Sequence, residues 1–145
     1  MNSAPSLLAA AGLLSLGCSS DCQLDDDLRL FAGDAAVDCG TADATHDRSA
    51  IDQCAVDAFE AGTPFIARYQ QQGEDSTLST AVAMNTVDKV KVFRWDSSPC
   101  GGGSCSPVTD VQACEAPTVA AASTEDPNAL PIMCTSLGLA QRTCG

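Results

Sequence analysis

The stretch from Ser49 to Trp95 limits the fold more than any other part of the chain, because there hydrophobic periodicity agrees with start and stop signals. Ile51, Cys54, Ala55, Ala58 and Phe59 recur at i, i+3, i+4, i+7 and i+8, so a helix would gather them into one apolar stripe. Asp52, Gln53, Asp57 and Glu60 would point elsewhere. Asp47 or Ser49 can accept from the orphan N–H groups of the first turn, and Asp52 lies near enough to that end to be favoured by the helix dipole. Gly62 suits the left-handed residue that ends a helix, and Pro64 prevents its continuation. Most side chains of the stripe are small, so the helix must lie close to something flat, as an antiparallel sheet would be.

After the helix the period changes to two. Phe65, Ala67 and Tyr69 alternate with Ile66, Arg68 and Gln70, as expected for a strand. Gln72 to Asp75 reads as a turn, and Leu78, Thr80, Val82 and Met84 share one face of the next run. Asn85 to Asp88 closes a second hairpin, followed by a strand with Val90 and Val92 on one face and Phe93 and Trp95 on the other. Val108 to Cys114 suggests a fourth strand, and Thr118 to Pro131 a low-complexity connection. Ser19 to Thr45 is polar and acidic, with few apolar anchors, and reads as tether and irregular approach with a short strand at Leu28 to Phe31. The expected fold is α+β: one amphipathic helix packed on a small antiparallel sheet of three to four strands, braced by disulfides. The expected organisation is a signal peptide over 1–17, an acidic tether over 18–42 and one domain over 43–145.

Only six aromatic residues are available for the core. A buried large side chain contributes about 1.5–3 kcal/mol, whereas ordering one residue costs roughly 1–2 kcal/mol of backbone entropy, so a core this lean benefits from cross-links. Nine cysteines are present. The apolar run from Leu7 to Leu16 is too short to span a bilayer and has the length of a signal-peptide core. It leads directly to Gly17 and Cys18, and here the sequence resembles a bacterial lipoprotein signal, whose cysteine receives lipid and becomes the mature N-terminus. Ser15 stands where that motif usually carries leucine, and an ordinary secretory signal is the alternative. Acylation of Cys18 would leave Cys22, Cys39, Cys54, Cys100, Cys105, Cys114, Cys134 and Cys144, an even set suited to an oxidising compartment. Cys100 and Cys105 flank a flexible Gly-Gly-Gly-Ser loop and are the first expected pair. Cys39 with Cys54 would tie the approach segment to the helix, and Cys114 with Cys134 would close the Ala-rich connection, leaving Cys22 for Cys144.

The order of a signal, a cysteine, Asp38-Cys39-Gly40, Cys54-Ala55, Gly62-Thr-Pro-Phe65, Val92-Phe-Arg-Trp-Asp96 and a glycine loop resembles cysteine-rich lipoproteins of myxobacterial type. The resemblance implies a compartment, the bacterial cell envelope at the outer membrane or facing the periplasm, and implies no chemistry.

The net charge of −12 is concentrated between Cys18 and Gly62, which carry eleven acidic residues against Arg29 and Arg48. Nucleic acid is not expected as a partner, because binding phosphates needs clustered Lys and Arg. The Asp25-Asp26-Asp27 run, and His46 with Asp43 and Asp47, match no metal-loop spacing, so no metal or cofactor is expected. No C-x-x-C stands at a helix start, and Cys54 falls on the apolar stripe as a structural half-cystine. Gly102-Gly103-Ser104-Cys105-Ser106 lacks the last glycine of a nucleophile elbow, and a triad would depend on His46 alone. Trp95 and Asp96, beside the glycine loop, suit either a recognition surface or, for Trp95, the second face of the sheet. The expectation is therefore a non-catalytic binding or structural module, exported and held to the membrane by the lipid on Cys18, with an envelope or extracellular protein as partner. A protease inhibitor is the alternative, and an envelope enzyme with an acidic site is the third reading.

Overall fold

The computed structural model describes residues 22–43, 45, 47–87, 89–101, 105–120 and 129–144, the last without the Cys144 side chain. Helix α1 (Leu24–Ala32) comes first, followed by strand β1 (Val37–Ala42) and helix α2 (Arg48–Glu60). Four strands then run back and forth: β2 (Phe65–Gln72), β3 (Thr77–Met84), β4 (Val90–Asp96) and β5 (Val108–Glu115). Short strands complete the chain: β6 (Thr118–Val119), β7 (Ile132–Met133), β8 (Ser136–Leu137) and β9 (Gln141–Cys144). The main sheet has the order β1-β2-β3-β4-β5-β8, with β9 also on β5, and β6 pairs β7 separately. β1 and β2 are parallel, with α2 as the crossover between them, and the other pairs are antiparallel.

The sheet is covered on both faces. On one, Leu28 and Ala32 of α1 are buried with Ile66, Ala81, Ala83, Phe93 and Val111, and Leu24 and Phe31 pack at the margin. Small residues at Ala81 and Ala83 let the helix approach the strands closely. Phe31 and Phe93 meet with ring centroids 5.8 Å apart and tilted planes, a favoured aromatic geometry. On the other face, Ala55 and Ala58 of α2 are buried with Phe65, Ala67, Tyr69, Val82, Met84 and Val90, and Ile132 closes the far side. Phe65 to Tyr69 is consequently buried at every position, although the alternation of the strand sends neighbours to opposite layers.

Helix α2 obeys its sequence signals. The Asp47 carboxylate accepts from the Ser49 N–H at 2.9 Å, and the helix ends with Gly62 at φ 64°. There the N–H groups of Gly62 and Thr63 donate to the carbonyls of Phe59 and Ala58, the paired bonds of a Schellman cap. Cys54 joins Cys39 of β1 with Cα atoms 5.6 Å apart, so helix and edge strand are tied covalently. Cys100–Cys105 and Cys114–Cys134 are bridged too, with Cα separations of 5.9 and 5.1 Å. Cys22 is also disulfide-bonded, and its partner lies outside the described side chains.

The meander of β2, β3 and β4, the fourth strand and the three bridges are as the sequence suggested. Two expectations are corrected. Among the described residues there are two helices, not one, and the main sheet is mixed, with seven strands, not three or four antiparallel ones. The expected short strand at Leu28 to Phe31 is helical: within the stretch read as tether, Leu24, Leu28, Phe31 and Ala32 line one side of α1. Asp25, Asp26 and Asp27 in its first turn favour that helix through its dipole. The expected signal peptide over 1–17 lies outside the described residues.

Gly40 sits at φ 94°, where β1 slips register against β2 between Asp38 and Thr41, and an added Cβ would lie 3.2 Å from Ile51 Cδ1 of α2. Gly40→Ala should cost about 1–2 kcal/mol through the left-handed backbone alone, read as a lower urea midpoint at unchanged slope. Replacing Cys39 and Cys54 together by Ala should remove roughly 3 kcal/mol by the loop-entropy estimate for a closure of this length, measured by the same titration.

Candidate functional site

Two polar arrangements stand out, one on each face of β2. On the α1 face, Arg68 is buried at 8 % exposure, and its guanidinium is shared by two carboxylates. Nε donates to Asp25 Oδ1 at 2.6 Å, from the first turn of α1, and Nη1 donates to Asp38 Oδ1 at 2.7 Å, from β1. Arg29 adds a longer ion pair to Asp38 at 3.7 Å. Burial pulls the Arg68 guanidinium down, but the hydrogen bonds to Asp38 and Asp25 outweigh it, so its pKa is raised and the charge is secure. The Arg68 hydrogen bond holds the Asp38 carboxyl below its usual range, against an opposing effect of burial and with help from the Gly40 N–H. The cluster fastens α1 and the edge strand to the same residue.

On the α2 face, strand register lines up Tyr69, Thr80, Arg94, Asp110 and Arg142 as consecutive cross-strand neighbours over β2, β3, β4, β5 and β9. The buried end is Tyr69, whose hydroxyl donates to Asp52 Oδ1 at 2.7 Å while the Arg48 guanidinium lies 4.6 Å from its ring centroid. Arg48 Nε also donates to Asp52, at 3.1 Å. Burial, then the hydrogen bond to Asp52, pushes the Tyr69 hydroxyl far above its ordinary value, so it stays a donor. Past the helix the row becomes accessible: Thr80 and Asp110 are half-buried, and Arg94 and Arg142 are exposed. Arg94 Nη1 donates to Gln112 Oε1 at 2.8 Å, and Gln112 Nε2 donates in turn to the Gly138 carbonyl at 3.0 Å. Arg142 spans both oxygens of Asp110, at 3.1 and 3.4 Å. This row offers pre-oriented donors and acceptors on a rigid strand surface.

The residues singled out from sequence fall in different places. Trp95 and Asp96, as strand neighbours, face opposite sides of the sheet. The half-buried Trp95 donates its indole N–H to the Cys22 carbonyl at 3.1 Å, and Asp96 accepts from the Ser98 N–H at 2.9 Å. Asp25 and Asp27 of the acidic run are structural: Asp25 takes Arg68, and Asp27 accepts from the Thr143 hydroxyl at 2.9 Å. Asp43 orders its own turn through Thr45. Cys18, His46 and Ser104 lie outside the described residues. Among the described residues, no group of three or more His, Cys, Asp or Glu side chains is placed to hold a metal. Also among them, no helix is long and apolar enough to cross a membrane. Neither the Arg68 cluster nor the Tyr69 row is marked by a motif. The signal for Arg68 is a charge between Phe65-Ile66-Ala67 and Tyr69 in the apolar half of a strand, and finding the row requires the register.

Comparison of the chain with protein-family models, with curated proteins and with solved structures finds no match.

Replacing Arg68 by Ala should cost about 2–3 kcal/mol, because charge-assisted hydrogen bonds and buried packing are lost together. Asp38 has a folded pKa below its unfolded one, so its stabilising effect is fully present above about pH 4 and lost as the pH falls through the folded value. Urea midpoints measured from pH 7 to pH 2 should fall more steeply for the wild type than for Asp38→Asn. Equal slopes would remove the Arg68–Asp38 pair from the account.

Proposed function

We propose that this is an exported, lipid-anchored protein of the bacterial cell envelope, acting as a non-catalytic binding module, with Cys18 as the acylated mature N-terminus. The observation that carries this reading is the disulfide framework: Cys39–Cys54, Cys100–Cys105 and Cys114–Cys134 are bridged, and Cys22 is bonded as well. Such a set persists in oxidising compartments and is rare where thiols are kept reduced. The cysteine that an even set leaves over is the one following the apolar leader. The resemblance to cysteine-rich lipoproteins supports the same compartment. The accessible part of the cross-sheet row, Thr80, Arg94, Asp110 and Arg142, with Gln112 beside it, is the surface we assign to partner recognition. Arg94 and Arg142 against the single carboxylate of Asp110 leave that row one positive charge, in a chain whose net charge is −12.

The decisive measurement is the intact mass of protein expressed with its own leader, combined with thiol alkylation before and after reduction. The expected result is a chain that begins at Cys18 with added acyl groups, takes up no alkylating agent before reduction and takes up eight equivalents afterwards. A chain beginning elsewhere would remove the anchor. Two thiols reactive before reduction would break the pairing.

A further inference from the structure

The distance available between Cys18 and the folded body determines how an anchored protein would stand on its membrane. Cys22 is buried at 7 % exposure, and its carbonyl accepts the indole N–H of Trp95. It is thus fixed to the sheet at the end where β4 finishes. Between Cys18 and Cys22 stand only Ser19, Ser20 and Asp21. A fully extended chain advances roughly 3.3–3.6 Å per residue, so the lipid-bearing residue lies within about 14 Å of Cys22.

The same end of the sheet carries the β2–β3 turn, closed by the Gly73 N–H donating to the Ser76 carbonyl. Thr77 and Ser97 bind each other through two hydrogen bonds, from Ser97 N to Thr77 O at 3.1 Å and from Thr77 N to Ser97 Oγ at 2.8 Å. The Cys100–Cys105 bridge also belongs to this end, in the connection from β4 to β5. Strand β4 runs directly away from it. From Asp96 back to Val90 it covers about 20 Å at the usual rise per residue, and it ends at the Asn85–Lys89 turn, where Val87 is 66 % exposed.

Resting on the proposed acylation of Cys18, we infer that the lipid bilayer lies against the pole formed by residues 73–76 and 95–99. The opposite pole, with the Asn85–Lys89 turn, points away from the bilayer. Glu74, Asp75 and Asp96 put negative charge on the membrane-facing pole. Anionic headgroups repel it, so the covalent tether and not adsorption sets the orientation. The side face bearing Arg94 then stands roughly perpendicular to the bilayer, with Arg94 two residues from the strand end at that pole.

Trp95 is the sole tryptophan, which makes the orientation measurable. The acylated full chain would be reconstituted into vesicles of phosphatidylethanolamine and phosphatidylglycerol containing dansyl-phosphatidylethanolamine. Energy transfer from Trp95 to dansyl should be several-fold more efficient than from the reporter in Trp95→Phe/Val87→Trp. Equal or reversed efficiencies with the acylated protein would overturn the orientation and leave the anchor standing. A mass showing no acyl group on Cys18 would overturn both. A second measurement does not depend on removing Trp95. The amine introduced by Glu74→Lys should react at least fivefold more slowly with a bulky, membrane-impermeant reagent on vesicles than in detergent, while Lys89 reacts equally in both. Slowing of Lys89, or none at position 74, would overturn the inference.

Discussion

Two adjacent residues of β2 hold the three layers in place. Arg68 turns toward α1 and Tyr69 toward α2, because successive side chains of a strand point to opposite faces. Each meets a carboxylate from the helix on its side, Asp25 for Arg68 and Asp52 for Tyr69. A buried cation without such partners would cost more than its neighbours could return. Arg68 therefore enforces the docking of α1 rather than merely adding to it. Asp38 extends the requirement to β1, so one side chain ties the helix before the edge strand, the edge strand itself and the central strand together. Hydrophobic burial is non-directional and would tolerate other placements of a short helix. The guanidinium, with donors in a fixed fork, does not.

The core beneath this clamp is made of small residues. Ala55, Ala58, Ala67, Ala81 and Ala83 are all buried, and they allow close approach at the expense of apolar area. The bridges compensate by limiting what the unfolded chain can do, and Cys114 is itself part of the buried core. Cys39–Cys54 is placed where this matters most, between the parallel edge strand and its crossover helix, a long-range arrangement that local propensity does not favour. Among the described residues, no buried side-chain nitrogen or oxygen lacks a hydrogen-bond partner, so the polar groups inside this small domain are fully used.

How much of this was legible in the sequence follows from where the signals are local. Helix α2 could be read because cap, stripe and terminator lie within a few residues of one another, and the meander because its turns separate alternating runs. The bridges were legible because each closes a short segment around an obvious element. Helix α1 was hidden by its own acidity. Asp25, Asp26 and Asp27 read as a solvated run, yet Asp25 and Asp27 both have partners far along the chain, at Arg68 and Thr143. The parallel placement of β1 was likewise invisible, since its burial is slight and Gly40 interrupts its alternation. Of the candidate surface, Arg94 and Asp110 are unremarkable strand residues in sequence, and only the pairing of β4 with β5 makes them neighbours.

The irregularity at Gly40 also protects the molecule from its own kind. A sheet has two rims, and each rim carries backbone donors and acceptors that a second chain could extend. Here one rim is broken by the register slip between Asp38 and Thr41. The other is divided into the two residues of β8 and the four of β9, with Gly138 to Ala140 between them. Neither offers a straight ladder long enough to template another strand. A second chain would therefore find no long edge to extend, and straightening β1 by removing the Gly40 kink would open a route to sheet-to-sheet polymerisation.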